Sequence, residues 1–92
     1  MDEIFKALAD PTRRLILDEL AARKCQTLYE LCTRLIMKHR VQMSRQAIVK
    51  HLDILEAAQL VKSQRQGRLK FLYFNDAPLR KISERWINRV IQ

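Results

Sequence analysis

The sequence is poor in the two residues that make tight turns, because its 92 residues include one glycine and two prolines. Sheet-rich domains need many turns, and glycine and proline supply much of the backbone geometry that turns require. This scarcity argues against an all-β or loop-rich fold and predicts a chain made mainly of helices. The length allows one hydrophobic core and is too short for two. We therefore expect a single helix-rich domain over residues 1–92, without linkers or internal repeats.

Helix-capping residues and apolar residues at helical spacing predict three helices in the N-terminal part of the chain. A short helix starts at Asp2. Asp10-Pro11 begins the second, because aspartate caps helix N-termini and proline fits the first helical position. After a break at residues 24–26, Thr27 and Glu30 match a capping box, in which each side chain accepts a hydrogen bond from the other residue's backbone N–H. The apolar stripes are Ile16, Leu17, Leu20 and Ala21 in the second helix, and Leu28, Leu31, Cys32, Leu35 and Ile36 in the third.

The next segment predicts a helix with two chemically different faces. Ser44 is a suitable N-cap, and the residues SRQAIVKHLDILEAA contain no helix breaker. The buried stripe of this helix is formed by Ile48, Leu52 and Leu55. With about 100° between successive residues, the opposite side carries Gln46, Val49, Lys50 and Asp53. A helix that packs by one stripe and presents a polar opposite face has the geometry needed to enter a groove of DNA.

The apolar pattern changes from helical spacing to alternation in residues 60–74. Two short runs, LVKSQR and RLKFLYF, flank Gln66-Gly67 and predict a β-hairpin with glycine at its turn. The basic residues that flank the hairpin tip are Arg65, Arg68 and Lys70. A final helix follows Pro78, with Leu79, Ile82, Trp86 and Val90 at helical spacing. The predicted fold is mainly α with a small β-hairpin, in the order α-α-α-α-β-β-α.

Positive charge is concentrated in the middle of the chain. Residues 38–70 carry eight basic and two acidic side chains, so +6 of the net charge of +8 lies there. A basic block inside a folded segment is typical of a nucleic-acid-binding surface, and the alternative is a solvated surface without a partner. No apolar run is long enough for a transmembrane helix, and the charged residues Asp2, Glu3 and Lys6 interrupt the only early apolar stretch. We expect a cytoplasmic protein that does not associate with membranes, which the low cysteine content also fits.

No residue pattern predicts catalysis. The sequence has no glycine-rich phosphate loop, and Ser44 and Ser83 lack an obvious His/Asp arrangement. We expect His51, beside the buried stripe of its helix, to be a hydrogen-bonded structural residue and His39 to be a solvated loop residue. Cys32 lies on an apolar stripe, where a lone cysteine behaves as a small hydrophobic residue. We therefore expect no enzyme activity, no cofactor and no metal site.

Four stretches of the sequence resemble one known protein family. They read IFKALADPTRRLILDEL, LYELC, MSRQAIVKHLDILEAAQLV and RQGRLKFLYF, and they are similar to the ArsR-type (arsenic-repressor) family of bacterial winged helix-turn-helix repressors. The resemblance covers about residues 4–90. It implies a winged helix-turn-helix fold and a homodimer joined through its terminal helices. It also implies repression of transcription by binding to a two-fold symmetric, double-stranded DNA operator.

The sequence departs from the family pattern at three places. Gln59 stands where the family often has a left-handed glycine after the recognition helix, so we expect this helix end to differ in detail. Residues 38–43 make the connection to Ser44 longer than the usual tight turn, either by extending the third helix or by adding a basic loop. Metal-sensing members carry Glu-Leu-Cys-x-Cys in the third helix, but this chain has Cys32 followed by Arg34 at the second cysteine position. We therefore expect that it does not sense a metal.

The fourth helix and the hairpin, or wing, are the predicted DNA-binding surface. Backbone donors and the helix dipole at the start of the fourth helix favour phosphate. Glutamine and lysine on its outer face suit adenine and guanine edges in the major groove, and basic wing residues suit phosphates or the minor groove. The predicted DNA-binding residues are Ser44, Arg45, Gln46, Lys50, Arg65, Arg68 and Lys70.

The terminal helices are the predicted dimer interface, because they carry more apolar surface than one side of a small domain needs. The predicted interface residues are Ile4, Phe5, Leu8, Leu79, Ile82, Trp86 and Val90. The alternative is that both helices only close the core of the monomer. A second functional alternative is a winged-helix dimerisation or protein-interaction module excised from a larger enzyme. The basic wing argues against such a module, which has no need of this charge.

Overall fold

The computed structural model describes residues 2–87, and its elements follow the predicted order with one addition. The helices are α1 (Asp2–Leu8), α2 (Pro11–Ala22), α3 (Leu28–Met37), α4 (Arg45–Ala57) and α5 (Ala77–Ile82), and α5 continues into a π-helical turn (Ser83–Ile87). The strands are β1 (Gln26–Thr27), β2 (Val61–Gln66) and β3 (Leu69–Phe74). The predicted mainly helical fold with a hairpin wing is confirmed. Within residues 2–87, no helix has the length and apolar character needed to cross a bilayer.

The addition is strand β1, which makes the sheet three-stranded. Gln26 and Thr27 pair antiparallel with Leu72 and Phe71 of β3, and the strand order is β1-β3-β2. The prediction of a two-stranded hairpin is therefore incomplete. A strand of two residues is too short to show the alternation by which strands are recognised in a sequence.

The turn of the wing confirms the role predicted for the glycine. Gln66 pairs with Leu69, so Gly67 and Arg68 form a two-residue turn. Gly67 has φ +64°, and a positive φ at the first of two turn residues is the geometry of a type II′ hairpin. The space beside its Cα is open, so a larger residue here would be opposed by backbone strain and not by a clash.

The core lies between the helices and one face of β3. The predicted apolar stripes meet there with the buried Leu72 of β3, and their most buried members are Ile16, Leu20, Leu31, Leu35, Ile48, Leu52 and Leu55. Ala21 and Ile36, at the ends of two of the predicted stripes, are exposed instead.

A single arginine joins α1, α2 and α4. The Asp10 side chain caps α2 by accepting a hydrogen bond from the Arg13 backbone N–H at 3.1 Å. The Arg13 guanidinium donates to the carbonyls of Lys6 and Ala7 at the end of α1, at 3.0 and 2.7 Å. It also donates to His51 Nδ1 on α4, at 3.2 Å. These bonds give a physical reason for the Asp-Pro-Thr-Arg motif. Asp10 caps α2, and Arg13 connects the end of α1 to α4.

Helix α4 ends in a left-handed turn despite the absence of glycine. Gln59 has φ 65°, and the Leu60 N–H returns to the Leu55 carbonyl at 3.0 Å, as in a Schellman motif. The Asn75 side-chain amide donates to the Gln59 carbonyl at 2.7 Å. The expectation that this helix end would differ is wrong, because these hydrogen bonds hold a glutamine in the conformation that glycine adopts more easily.

The long connection between α3 and α4 is a loop and not an extension of α3. The helix ends at Met37, and Arg40 has φ 55°. The Val41 N–H then returns to the Leu35 carbonyl at 3.0 Å. Val41 and Met43 pack against the core, so this loop is anchored from inside where it leads into α4.

Candidate nucleic-acid interface

Helix α4 presents the predicted polar face to the outside. The Ser44 hydroxyl caps it by accepting a hydrogen bond from the Ala47 N–H at 3.2 Å. The buried stripe points to the core, as predicted. On the opposite side, a shallow depression is lined by Arg45, Gln46, Val49 and Lys50. Four side chains of one helix face, two of them cationic, are therefore available to a groove of DNA.

The wing carries cations on both of its strands. Arg65 and Arg68 are exposed, and Arg65 lies directly opposite Lys70 in the register of the hairpin. Lys70 also forms an ion pair with Glu56 of α4, at 3.8 Å, and both side chains are partly buried. Of the three predicted wing contacts, Lys70 thus already has a partner inside the protein, and its ion pair joins the wing to the recognition helix.

A basic cleft lies where α3, α4 and the wing meet, and we call it the wing cleft. Its volume is about 210 Å³. It is lined by Thr27, Leu28, Tyr29, Arg45, Arg65, Arg68, Leu69 and Lys70. The structure therefore brings the predicted residues Arg45, Arg65, Arg68 and Lys70 together in one place, while Gln46 and Lys50 lie on the neighbouring helix face.

Two exposed residues of the wing cleft were not predicted from the sequence. The side chain of Tyr29 is 69% exposed and that of Leu69 is 53% exposed. Tyr29 lies outside the apolar stripe of α3, and an aromatic residue on the polar side of a helix is the signal that could have identified it. Leu69 follows the glycine turn within an apolar run, and its residue type does not distinguish it from Leu72, the buried residue of β3.

A buried carboxylate holds the loop that leads into the recognition helix. Glu19 of α2 is only 2% exposed, and its carboxylate accepts a hydrogen bond from His39 Nε2 at 3.0 Å. Lys38 lies at 3.6 Å and Arg34 at 3.8 Å from the same carboxylate. Desolvation raises the pKa of Glu19, but the hydrogen bond from His39 and the charges of Lys38, His39 and Arg34 outweigh it, so the pKa lies below its ordinary value.

The predictions for the two histidines have opposite outcomes. His39 is not a solvated loop residue, because it is partly buried and bonded to Glu19, and that prediction is wrong. His51 is hydrogen-bonded to Arg13, which confirms its structural interpretation. Glu19 lies three residues after the buried Ile16, so its position on the inner face of α2 was visible in the helical spacing.

Neither cysteine lies in an arrangement that binds a metal within the described part of the chain. Cys32 is buried, and desolvation raises the pKa of its thiol. Cys25 is exposed, and its thiol donates to the Tyr73 hydroxyl at 3.6 Å. Both are free, and residues 2–87 contain no group of three His, Cys, Asp or Glu side chains placed to hold a metal ion.

The predicted interface residues fall into two groups. Ile4, Leu8 and Leu79 pack against the core of the monomer, and Ile82 is partly buried. Phe5 is 47% exposed and Trp86 is 44% exposed, and Ile87 beside Trp86 is also exposed. Val90 lies outside the described residues.

Comparisons with known proteins agree with this geometry. A family model of a helix-turn-helix domain matches residues 8–64. The chain is 56% identical to the HTH-type transcriptional regulator YuzN of Bacillus subtilis (strain 168), over 94% of each chain. It is 35% identical to the transcriptional repressor SdpR of the same organism, over 82% of this chain and 73% of SdpR. The structure matches that of an ArsR-like transcriptional regulator from Rhodococcus sp. RHA1 with a TM-score of 0.77 and 39% identity, over 97% of this chain and 74% of that chain.

Proposed function

This chain belongs to the ArsR-type family of winged helix-turn-helix transcriptional regulators, which bind DNA, and on that basis we propose that it is a homodimeric repressor of a two-fold symmetric operator. One observation carries the proposal: the outward face of α4 and the cations of the wing lie side by side. The name of SdpR, a transcriptional repressor, supports repression as the outcome of binding. We assign residues 1–92 to one DNA-binding domain without catalytic activity. The free thiols of Cys25 and Cys32 fit a reducing cytoplasm as its location.

We assign different roles to the helix and to the wing. Gln46 and Lys50, on the outer face of α4, would read base edges, since glutamine can pair with adenine and lysine with guanine. Ser44 and Arg45 lie at the N-terminus of α4, where phosphate is favoured. Arg65, Arg68 and Lys70 would bind phosphates or enter the minor groove. Phosphate contacts orient the protein on the duplex, and base contacts specify the sequence.

The test of this proposal is the selection of bound duplexes from a random pool. We expect the selected sequences to share a motif present in two inverted copies, because a two-fold symmetric dimer presents the same helix twice. A single unrepeated motif would contradict the dimer. The absence of enriched sequences, together with no duplex binding at low salt, would contradict the function itself.

Lys50→Ala and Arg68→Ala are expected to weaken DNA binding in different ways. Loss of a base contact by Lys50→Ala costs about 1–3 kcal/mol and should relax specificity at one base position. Arg68→Ala should weaken binding to all sequences alike and make the dependence of log K on log salt concentration shallower, because fewer counterions are released. The measurement is a fluorescence titration with a panel of single-base operator variants at several salt concentrations. Equal behaviour of the two variants would contradict the assigned roles.

We expect that metal ions do not release this protein from DNA. Arg34 places a positive charge at the position where metal-sensing relatives have a second cysteine, and this guanidinium donates to Gln26 Oε1 at 2.6 Å. The check is an operator-binding titration with zinc, cadmium and arsenite under reducing conditions. Stoichiometric binding of one of them, with loss of DNA affinity that Cys32→Ser abolishes, would contradict this expectation.

A further inference from the structure

We propose that the wing cleft binds a single phosphodiester group of the DNA backbone and that the Tyr29 hydroxyl donates a hydrogen bond to it. This inference rests on the proposed DNA-binding function and adds a positioning residue from α3, the helix that precedes the recognition helix. The cleft volume of about 210 Å³ is several times the roughly 30 Å³ that one water molecule occupies in the liquid. The cleft is therefore large enough to receive a phosphodiester group.

The charges of the wing cleft favour the binding of an anion. Four cationic side chains line it, and no carboxylate does. Lys70 is paired with Glu56, whereas Arg45, Arg65 and Arg68 have no carboxylate within ion-pair distance among residues 2–87. Three guanidinium groups from two separate elements are therefore directed to one space without an internal counterion.

The register of the wing adds a second argument for an anion. Arg65 and Lys70 are directly opposite each other on the antiparallel strands, so their side chains leave the sheet on the same face. Like charges in this relation destabilise a hairpin. The ion pair of Lys70 with Glu56 offsets part of this repulsion in the free protein. An anion bound between Arg65 and Lys70 would offset the rest.

Tyr29 supplies a neutral donor at the edge of this charged space. It lies in the first turn of α3, and its hydroxyl makes no hydrogen bond within the described residues. Its ring and the exposed side chain of Leu69 give the cleft an apolar rim, which suits the deoxyribose beside a phosphate. The side chains that line the cleft offer almost only donors. Such a set matches the oxygens of a phosphate, which are all acceptors.

The expected consequence is that α3, α4 and the wing hold the same phosphate. A phenol carries no charge, so its hydrogen bond to phosphate strengthens binding without releasing a counterion. Loss of a hydrogen bond to a charged group weakens binding by about tenfold. Tyr29→Phe removes only the hydroxyl and keeps the exposed ring. Tyr73→Phe is the matched control, because Tyr73 is the other tyrosine of the chain and its hydroxyl is bonded to Cys25, away from the wing cleft.

The experiment uses the full chain and a duplex taken from the random-pool selection, in which each phosphate in turn is replaced by an uncharged methylphosphonate. The wild type and Tyr73→Phe are expected to lose affinity sharply at one phosphate of each half-site. Tyr29→Phe should bind the unmodified duplex about tenfold more weakly, with an unchanged salt dependence. It should show a clearly smaller further loss than the wild type at that same phosphate. A purely structural role of Tyr29 would not produce this position-specific coupling.

Three results would overturn the inference. The first is that Tyr29→Phe binds the unmodified duplex as tightly as the wild type. The second is that it responds to every methylphosphonate as the wild type does. The third is that millimolar inorganic phosphate displaces the duplex from the wild type but not from Tyr29→Phe while no methylphosphonate position matters, which would make the cleft a site for free anions. Each of these leaves duplex binding by the wild type intact. A wild type that binds no duplex would instead contradict the proposed function.

Discussion

Replacement of Trp86 by alanine is expected to make the protein monomeric and to weaken binding to a two-half-site duplex by about a hundredfold or more. Trp86 lies in the π-helical turn after α5 with its indole 44% exposed, and the Arg85 guanidinium stacks over the ring at 5.1 Å. Phe5 and Ile87 add exposed apolar surface. Large aromatic residues of this kind contribute most of the binding energy in many interfaces. Without the dimer, each half-site is bound separately and the gain from a linked second contact is lost.

Two controls separate the loss of dimerisation from the loss of folding. Trp86→Ala should bind an isolated half-site as tightly as the wild type, because α4 and the wing are unchanged. Ile54→Ala removes an equally exposed apolar side chain from α4, and it should leave the dimer intact. Sedimentation at micromolar concentration gives the mass of each variant. A Trp86→Ala protein that sediments as the wild type does, or a wild type that is itself monomeric, would contradict the proposed interface.

Replacement of Glu19 by glutamine is expected to lower the free energy of unfolding by about 2–4 kcal/mol. The variant keeps the shape of the side chain but removes its charge, and its amide group would face His39, Lys38 and Arg34. For a domain of this size, each kcal/mol corresponds to a decrease of about 4–8 °C in Tm. Asp18→Asn is the control, because it removes an exposed carboxylate from the same helix, and its effect should stay within about 0.5 kcal/mol.

The contribution of Glu19 should also depend on pH. Its pKa lies below the ordinary value of 4.5, so the folded state favours the ionised carboxylate. The stabilisation is therefore complete above that ordinary value and is lost as the pH falls through the lowered pKa. Urea unfolding of the wild type and of Glu19→Gln should give free energies that differ at neutral pH and converge in acid. Equal denaturation midpoints at neutral pH would show that the carboxylate does not hold the loop.

Local signals predicted the elements that depend on neighbouring residues. The capping box of Thr27 and Glu30 forms both of its hydrogen bonds, and Ser44 caps α4 as expected. Features that depend on distant residues were missed. Strand β1 exists because β3, about 45 residues later, offers it a partner, and His39 is held by Glu19, 20 residues before it.

The same distinction applies to the candidate site. The outer face of α4 follows from helical spacing alone, and the structure places Gln46 and Lys50 there. The wing cleft depends on how the hairpin folds back towards α3, which no local pattern contains. Only the folded structure therefore shows that Tyr29 and Leu69 line the site. It also shows that Lys70 is paired with Glu56, which the sequence does not indicate.

The hydrogen bonds of Arg13 have a consequence for which operators a dimer can read. Arg13 ties the end of α1, next to the exposed Phe5, to His51 in the recognition helix. In the proposed dimer, the part of the contact surface that α1 supplies is therefore held directly against the DNA-reading helix of the same subunit. The separation between the two recognition helices is then set within each subunit as well as at the interface. A protein built in this way tolerates little variation in the number of base pairs between half-sites, because a change of one base pair both shifts and rotates the second site.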